Sequence, residues 1–263
     1  MTIRPTLCVV PALLREATDV DALLRCLVSL QATAPDAAIL VVDDASPEPE
    51  LVAALEVACE ELGVGLVAND EPSGLATTLN AGLGAAHAME HDAVLVSPQL
   101  EFAAAGWLDR MRERTDTDGR PAAVVGARLV KPNGLLRHAG MFLSLLTRDW
   151  VDRFQHGPHN LPEALTATRC PVTSSLQFVR WETLEQVGIY DDGYSERLGD
   201  VDYCLRVFGA GLECIYEPSV VAIDHTPLVK PAPDVSLRLS ACKNLMWARW
   251  ANADLSRWVP EVL

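Results

Sequence analysis

The chain has 263 residues, 49% of them hydrophobic and 22% charged, with a formal net charge of −15. That is long enough and apolar enough for one full core, and too acidic for a general nucleic-acid binder, because phosphate neutralisation needs basic surface. No apolar run approaches the ~20 residues that cross a bilayer, and the start Met1-Thr2-Ile3-Arg4-Pro5 lacks a secretory signal, so a cytoplasmic location is expected. Seven cysteines (Cys8, Cys26, Cys59, Cys170, Cys204, Cys214, Cys242) are an odd number without paired metal-ligand spacing and read as buried, reduced thiols.

Taken in chain order, the first hundred residues alternate β-branched apolar runs with helical stretches, the pattern of a parallel sheet covered by helices. Strands are predicted at 6–10, 38–43, 65–69 and 93–97. Val20, Leu23, Leu24, Leu27 and Leu30, and then Leu51, Leu55, Ala58 and Leu62, recur at helical spacing. Ser73 is the expected cap of a third helix running through Leu79, Leu83 and Ala86. Strands at 122–130 and 135–145 flank Lys131-Pro132-Asn133-Gly134, whose Asn-Gly pair predicts a hairpin. Residues 150–168 are polar and aperiodic and read as an irregular active-site loop. A strand at 170–179, helices at 181–187 and about 200–209, and two short strands at 213–216 and 220–223 complete the pattern.

In open parallel sheets ligands bind beyond the carboxyl ends of the strands. The polar residues there are Asp43-Asp44, Asn69-Asp70, Ser97 to Glu101, Asp200 with Asp202, and His225. Asp43 and Asp44 suit hydrogen bonding to a base or ribose, or helix capping. Asp200 and Asp202 open a predicted helix, whose partial positive charge favours an ionised carboxylate. No Gly-x-Gly-x-x-Gly follows the first strand and no P-loop occurs, so a bound nucleotide needs another anchor, and a divalent cation suits hard oxygen ligands with a diphosphate. A nucleotidyltransferase would carry a Gly-rich, basic first loop, whereas only Arg15 is nearby.

Between residues 6 and 225 these stretches resemble the family 2 glycosyltransferases, inverting enzymes of the GT-A fold, especially bacterial enzymes that build rhamnose-containing surface polysaccharides. The resemblance rests on Val41-Val42-Asp43-Asp44-Ala45-Ser46, on Asn69 with Gly74, Asn80 and Gly82, on Val125-Gly126-Ala127-Arg128-Leu129 and His138-Ala139-Gly140, and on Gly188-Ile189-Tyr190-Asp191 with Asp200-Val201-Asp202-Tyr203, Pro218 and His225. It implies a mostly parallel Rossmann-like α/β sheet flanked by helices, with a β-hairpin insertion and a C-terminal helix. Residues 1–225 would be the glycosyltransferase domain, split into a nucleotide-sugar half (1–120) and an acceptor half (121–225), followed by a helical tail (226–263). By the same resemblance Asp43 contacts the base, and Pro11, Asp44, Asn69, Asn80 and Gln99 surround the nucleotide sugar. Asp200 is the general base, Asp202 lies on the acceptor side, and Glu101 and His225 hold Mg2+ or Mn2+. The acceptor is a saccharide or lipid-linked glycan hydroxyl.

Three positions depart from that family's pattern. Gln99 stands where the first acid of the metal motif is expected, Pro11-Ala12-Leu13-Leu14 replaces a Pro-x-Tyr-Asn run, and Gly199 precedes the base. These departures motivate the competing expectation of a weak or inactive nucleotide-sugar-binding scaffold in a polysaccharide assembly complex. The tail from residue 226 has five basic residues against three acidic, so it is +2 while the rest is −17. Leu239, Cys242, Met246 and Trp250 share a helical face, with Trp247 and Trp258 adjacent. Packing on the domain or a homodimer contact is the favoured expectation for this face, ahead of an anionic membrane surface. The loop histidines His138, His156 and His159 receive no role.

Overall fold

A computed structural model describes residues 3–144, 146–147, 149–227 and 233–257. The alternating pattern of the first hundred residues folds as strands β1 (Thr6–Ala12), β2 (Ala38–Asp43), β3 (Gly65–Ala68) and β4 (Asp92–Val96), with helices α1 (Ala17–Thr33), α2 (Pro49–Leu62) and α3 (Leu75–Ala88) between them. Glu16 and Asp19 form a reciprocal capping box at the start of α1. Pro49, whose missing N–H is not needed in a first turn, begins α2. The third cap differs from expectation: Gly74 precedes α3, and Ser73 spends its hydroxyl on Asp44 instead.

The rest of the described chain adds β5 (Leu100–Glu101), α4 (Trp107–Glu113), β6 (Val124–Val130), β7 (Leu136–His138), β8 (Met141–Ser144), β9 (Asp149–Asp152), β10 (Thr168–Arg169), β11 (Leu176–Val179), α5 (Trp181–Val187), α6 (Gly199–Gly209), β12 (Cys214–Asp224) and α7 (Pro233–Trp250). The main sheet runs β10-β12-β6-β11-β4-β1-β2-β3, with β5 beside β12 and β7 beside β6. Pairing is parallel through β3, β2, β1 and β4 and between β6 and β12, and antiparallel at β11. Helices α1, α2 and α4 cover one face, and α3, α5, α6 and α7 cover the other.

Four expected boundaries are corrected. The strand at 135–145 is two strands, because Gly140 at φ +86° turns the chain and β8 leaves the main sheet to pair with β9. The stretch 150–168 is not wholly irregular: it begins inside β9 and holds a 3-10 turn at Pro162–Leu165. Only Leu176–Val179 of the segment 170–179 is strand. The two strands at 213–216 and 220–223 are one, β12, interrupted by a register shift between Glu217 and Val221. Pro218, which has no N–H for the ladder, lies inside that shift. All seven cysteines are buried free thiols, as composition predicts.

Candidate active site

The strand order β3-β2-β1-β4 reverses direction between β1 and β4, where parallel α/β sheets open a crevice at their carboxyl ends. A cleft of about 790 Å³ lies there, lined by Pro11 near the end of β1, Asp44 after β2, Ser73 and Gly74 before α3, and Gln99 after β4. Asp44 builds its wall. Its Oδ1 accepts from Asn69 Nδ2 (2.9 Å), Ser73 N (2.9 Å) and Ser73 Oγ (2.8 Å), and its Oδ2 accepts from Gly74 N (3.0 Å). Burial pushes its pKa up, but these donors outweigh burial and hold the carboxyl below the usual range. Asp43 is turned away from the cleft onto Ser46, whose hydroxyl and N–H it accepts. Ser46 Oγ in turn accepts from Leu14 N (2.7 Å), so Asp43 ties the loop after β2 to the loop after β1. Gly74, at φ +89°, is compulsory: a Cβ there would lie 2.8 Å from the carbonyl oxygen of Ser195.

Pairing of β5 with β12 brings together two residues 124 positions apart, and His225 Nε2 lies 2.8 Å from Glu101 Oε2. His225 N also donates to Gln99 O (3.0 Å). Neighbouring Asp224 is committed to Arg137 and to Thr226 N. No cluster of three or more His, Cys, Asp or Glu side chains that could hold a metal occurs among the described residues. One carboxylate and one imidazole nonetheless fit a hard divalent cation whose remaining ligands are diphosphate oxygens and water.

Asp200 begins α6 and is half-buried, its Oδ2 accepting from Ser174 N (3.1 Å) and its Oδ1 from Val201 N (2.9 Å). Burial raises its pKa, nearby Asp152 raises it further, and the two amides pull it back only partly. The residue before Gly199, Leu198, is buried at φ +71°, an unusual backbone for a branched side chain, and it caps the helix that presents Asp200. Near Asp200 stands a residue given no role from sequence. His138 is 2% exposed, its Nδ1 lies 2.6 Å from Asp152 Oδ1, and its Nε2 lies 3.4 Å from Thr173 N. The only sequence signal for it was the His138-Ala139-Gly140 run, since its partner sits on another strand.

Two predicted site residues hold structure instead. Asp202 is fully buried and faces no acceptor: it accepts from Arg206 (3.0 Å), Arg249 (3.1 and 3.2 Å), Trp250 Nε1 (2.9 Å) and Tyr194 (3.4 Å). A helix period of 3.6 turns Asp202 about 200° away from Asp200, into the domain where α7 docks. Asn80 spends both ends of its amide on the loop before α6, accepting from Tyr190 N (2.8 Å) and donating to Tyr190 O (2.9 Å) and Asp192 (2.6 Å). The apolar face of the tail packs on the domain, as favoured, with Cys242 and Met246 buried, while Trp258 lies outside the described residues. No helix among the described residues is long and apolar enough to cross a membrane.

Residues 8–98 match the family model for glycosyl transferase family 2. Over 221 residues the chain is 29% identical to the O-antigen biosynthesis protein RfbC of Myxococcus xanthus, covering 82% of this chain and 16% of that protein. The chain spans less than a fifth of the length of the curated relatives it matches. Among solved structures it resembles GalNAc-T7 with UDP, GalNAc and Mn2+ (TM-score 0.63, 14% identity, 84% of this chain and 44% of that one). It also resembles the mannosyltransferase PcManGT from Pyrobaculum calidifontis in complex with GDP-Man and Mn2+ (TM-score 0.60, 16% identity, 96% and 76%). At such identities the likeness is one of fold, the GT-A arrangement of a mostly parallel sheet flanked by helices. The switch-point cleft and these matches agree: residues 8–98 are similar to glycosyl transferase family 2, and they lie in a sheet with the GT-A arrangement.

Proposed function

We propose that the protein transfers a sugar from a nucleotide-diphosphate donor to a hydroxyl of a saccharide or lipid-linked acceptor, with inversion at the anomeric carbon. The observation that carries this reading is Asp200, a carboxylate with raised proton affinity, fixed by two backbone amides at the end of the sheet that also holds the cleft. A base poised closer to neutrality removes a proton from an attacking hydroxyl more effectively than an ordinary aspartate. In this reading the acceptor oxygen loses its proton to Asp200 while it attacks the anomeric carbon from the face opposite the nucleotide, and a single displacement inverts that centre. The nucleoside lies over the carboxyl ends of β1 and β2, against the wall that Asp44, Asn69 and Ser73 build, with Pro11 and Gln99 lining the cleft. Glu101 and His225 would hold Mg2+ or Mn2+, which supplies charge neutralisation at the diphosphate when bound. Residues 1–120 form the donor half, 121–225 the acceptor half, and the tail closes the domain.

A calorimetric panel of uridine, guanosine and deoxythymidine diphosphates and their sugars, with Mn2+, Mg2+ or chelator, tests the reading. Binding of one nucleotide, strengthened by metal and followed by Asp200-dependent turnover, supports it; no binding under any condition overturns it. A second reading, a donor-binding module without turnover, is favoured by Gln99 in the metal motif and by the ion pair that already joins Glu101 to His225. Sustained transfer to a defined acceptor removes that alternative.

A further inference from the structure

We propose that Arg238 of the C-terminal helix is a donor-diphosphate ligand, and that Glu196 is the counter-ion it leaves when the donor enters. The inference rests on the donor-site reading above and adds to it a residue well outside the matched span 8–98. A nucleoside diphosphate entering a chain of net charge −15 needs local cations. Among the described residues lining the cleft the lysines and arginines are Arg15 and Arg238, against Asp19, Asp44 and Glu196.

The position of Arg238 is the second argument. Its partner Glu196 follows Ser195, whose carbonyl accepts from Leu75 N (2.8 Å) at the start of α3, and precedes Asp200 by four residues. The Arg238–Glu196 pair therefore lines the same cleft as Asp44, Ser73 and Gly74, the wall against which the nucleotide would lie, and its backbone leads on to the helix that begins with Asp200. Both side chains are partly open to solvent, at 42% and 25% exposure. An exposed ion pair of this kind contributes little to stability, so exchanging its carboxylate for a phosphate is inexpensive. The planar guanidinium suits two phosphate oxygens at once.

The helix that carries Arg238 is held firmly. Eleven residues on, about 16 Å along α7, Arg249 is bonded to Asp191 (2.6 Å) and Asp202, and Lys243 reaches Asp149 (3.3 Å). These anchors tie α7 to β9, to the loop after α5 and to the first turn of α6, and so set where the helix presents Arg238 to the cleft.

The test is calorimetry on the full chain with UDP, GDP and dTDP and the matching nucleoside monophosphates, in Mn2+, comparing wild type with Arg238→Ala, Glu196→Gln and the double variant. Arg238→Ala is expected to weaken the bound diphosphate about 10- to 100-fold, the range for a lost charge-assisted hydrogen-bond pair, and to leave the monophosphate nearly unchanged. Glu196→Gln is expected to tighten the diphosphate, and the double variant to match Arg238→Ala. Equal losses for mono- and diphosphate, no loss in Arg238→Ala, or no gain in Glu196→Gln would overturn the assignment while leaving the donor site intact. Failure of the wild type to bind any nucleotide would overturn the donor reading itself and this assignment with it.

Discussion

The loop after β2 and the first turn of α6 each present a carboxylate at the carboxyl edge of the sheet, and the two are treated in opposite ways. Asp44 receives four hydrogen bonds from Asn69, Ser73 and Gly74, and its proton affinity falls. Asp200 receives two, is desolvated by the protein around it and lies near a second carboxylate, and its proton affinity rises. Donors surrounding an anion make it a structural staple, whereas burial with few donors leaves it ready to accept a proton. Asp44 therefore builds a wall of the cleft, whereas Asp200 keeps the proton affinity that the proposed function would use.

Asp200→Asn should show the largest effect. Transfer is expected to fall about 10²- to 10⁴-fold, as for a lost general base. Because the folded-state pKa of Asp200 is raised, its ionisation opposes folding as pH climbs from the ordinary carboxylate value through the raised one. The same variant should therefore melt at a higher temperature than wild type at neutral pH, which calorimetric melting will read; a lower Tm would break the contrast with Asp44. Wild-type activity should also decline as pH falls through the raised pKa of Asp200, an acid limb absent from the residual activity of Asp200→Asn.

Next in size is Asp202→Ala, which removes the buried acceptor shared by Arg206, Arg249 and Trp250 and is expected to cost about 3–5 kcal/mol in urea denaturation. An unchanged midpoint would mean that α7 is not anchored through Asp202. Asp44→Asn should cost less, about 1–3 kcal/mol. The depressed pKa of Asp44 adds stability above the ordinary carboxylate range and loses it as pH falls through the folded value, so this variant should have a flatter acid limb in stability against pH. Gly82→Ala sharpens the comparison from the packing side, since its Cβ would fall 2.1 Å from a methyl of Val9 where α3 lies on β1. A loss of about 1–3 kcal/mol is expected from such overpacking, and it should occur without a change in the pH profile.

Sequence alone determined the alternating strands and helices of the first hundred residues. The alternation of Val41-Val42-type strands with helices such as Leu23 to Leu30 is local, and each βα unit can be read within a window of some thirty residues; the turn at Asn133-Gly134 and the buried state of the cysteines are legible for the same reason. The resemblance to a family nominated Asp200, Glu101 and His225, and the structure joins the last two across β5 and β12. Only the tertiary structure decided which acids stand free. Asp43 and Asp44, and Asp200 and Asp202, are near neighbours in sequence, yet their donors come from Ser46, Ser73, Ser174 and Arg249. Nor could sequence reveal the bond of His138 to Asp152 or the place of Arg238 in the cleft. Pairings between distant strands and the docking of α7 bring those groups together, and a carboxylate's proton affinity depends on neighbours in space rather than along the chain.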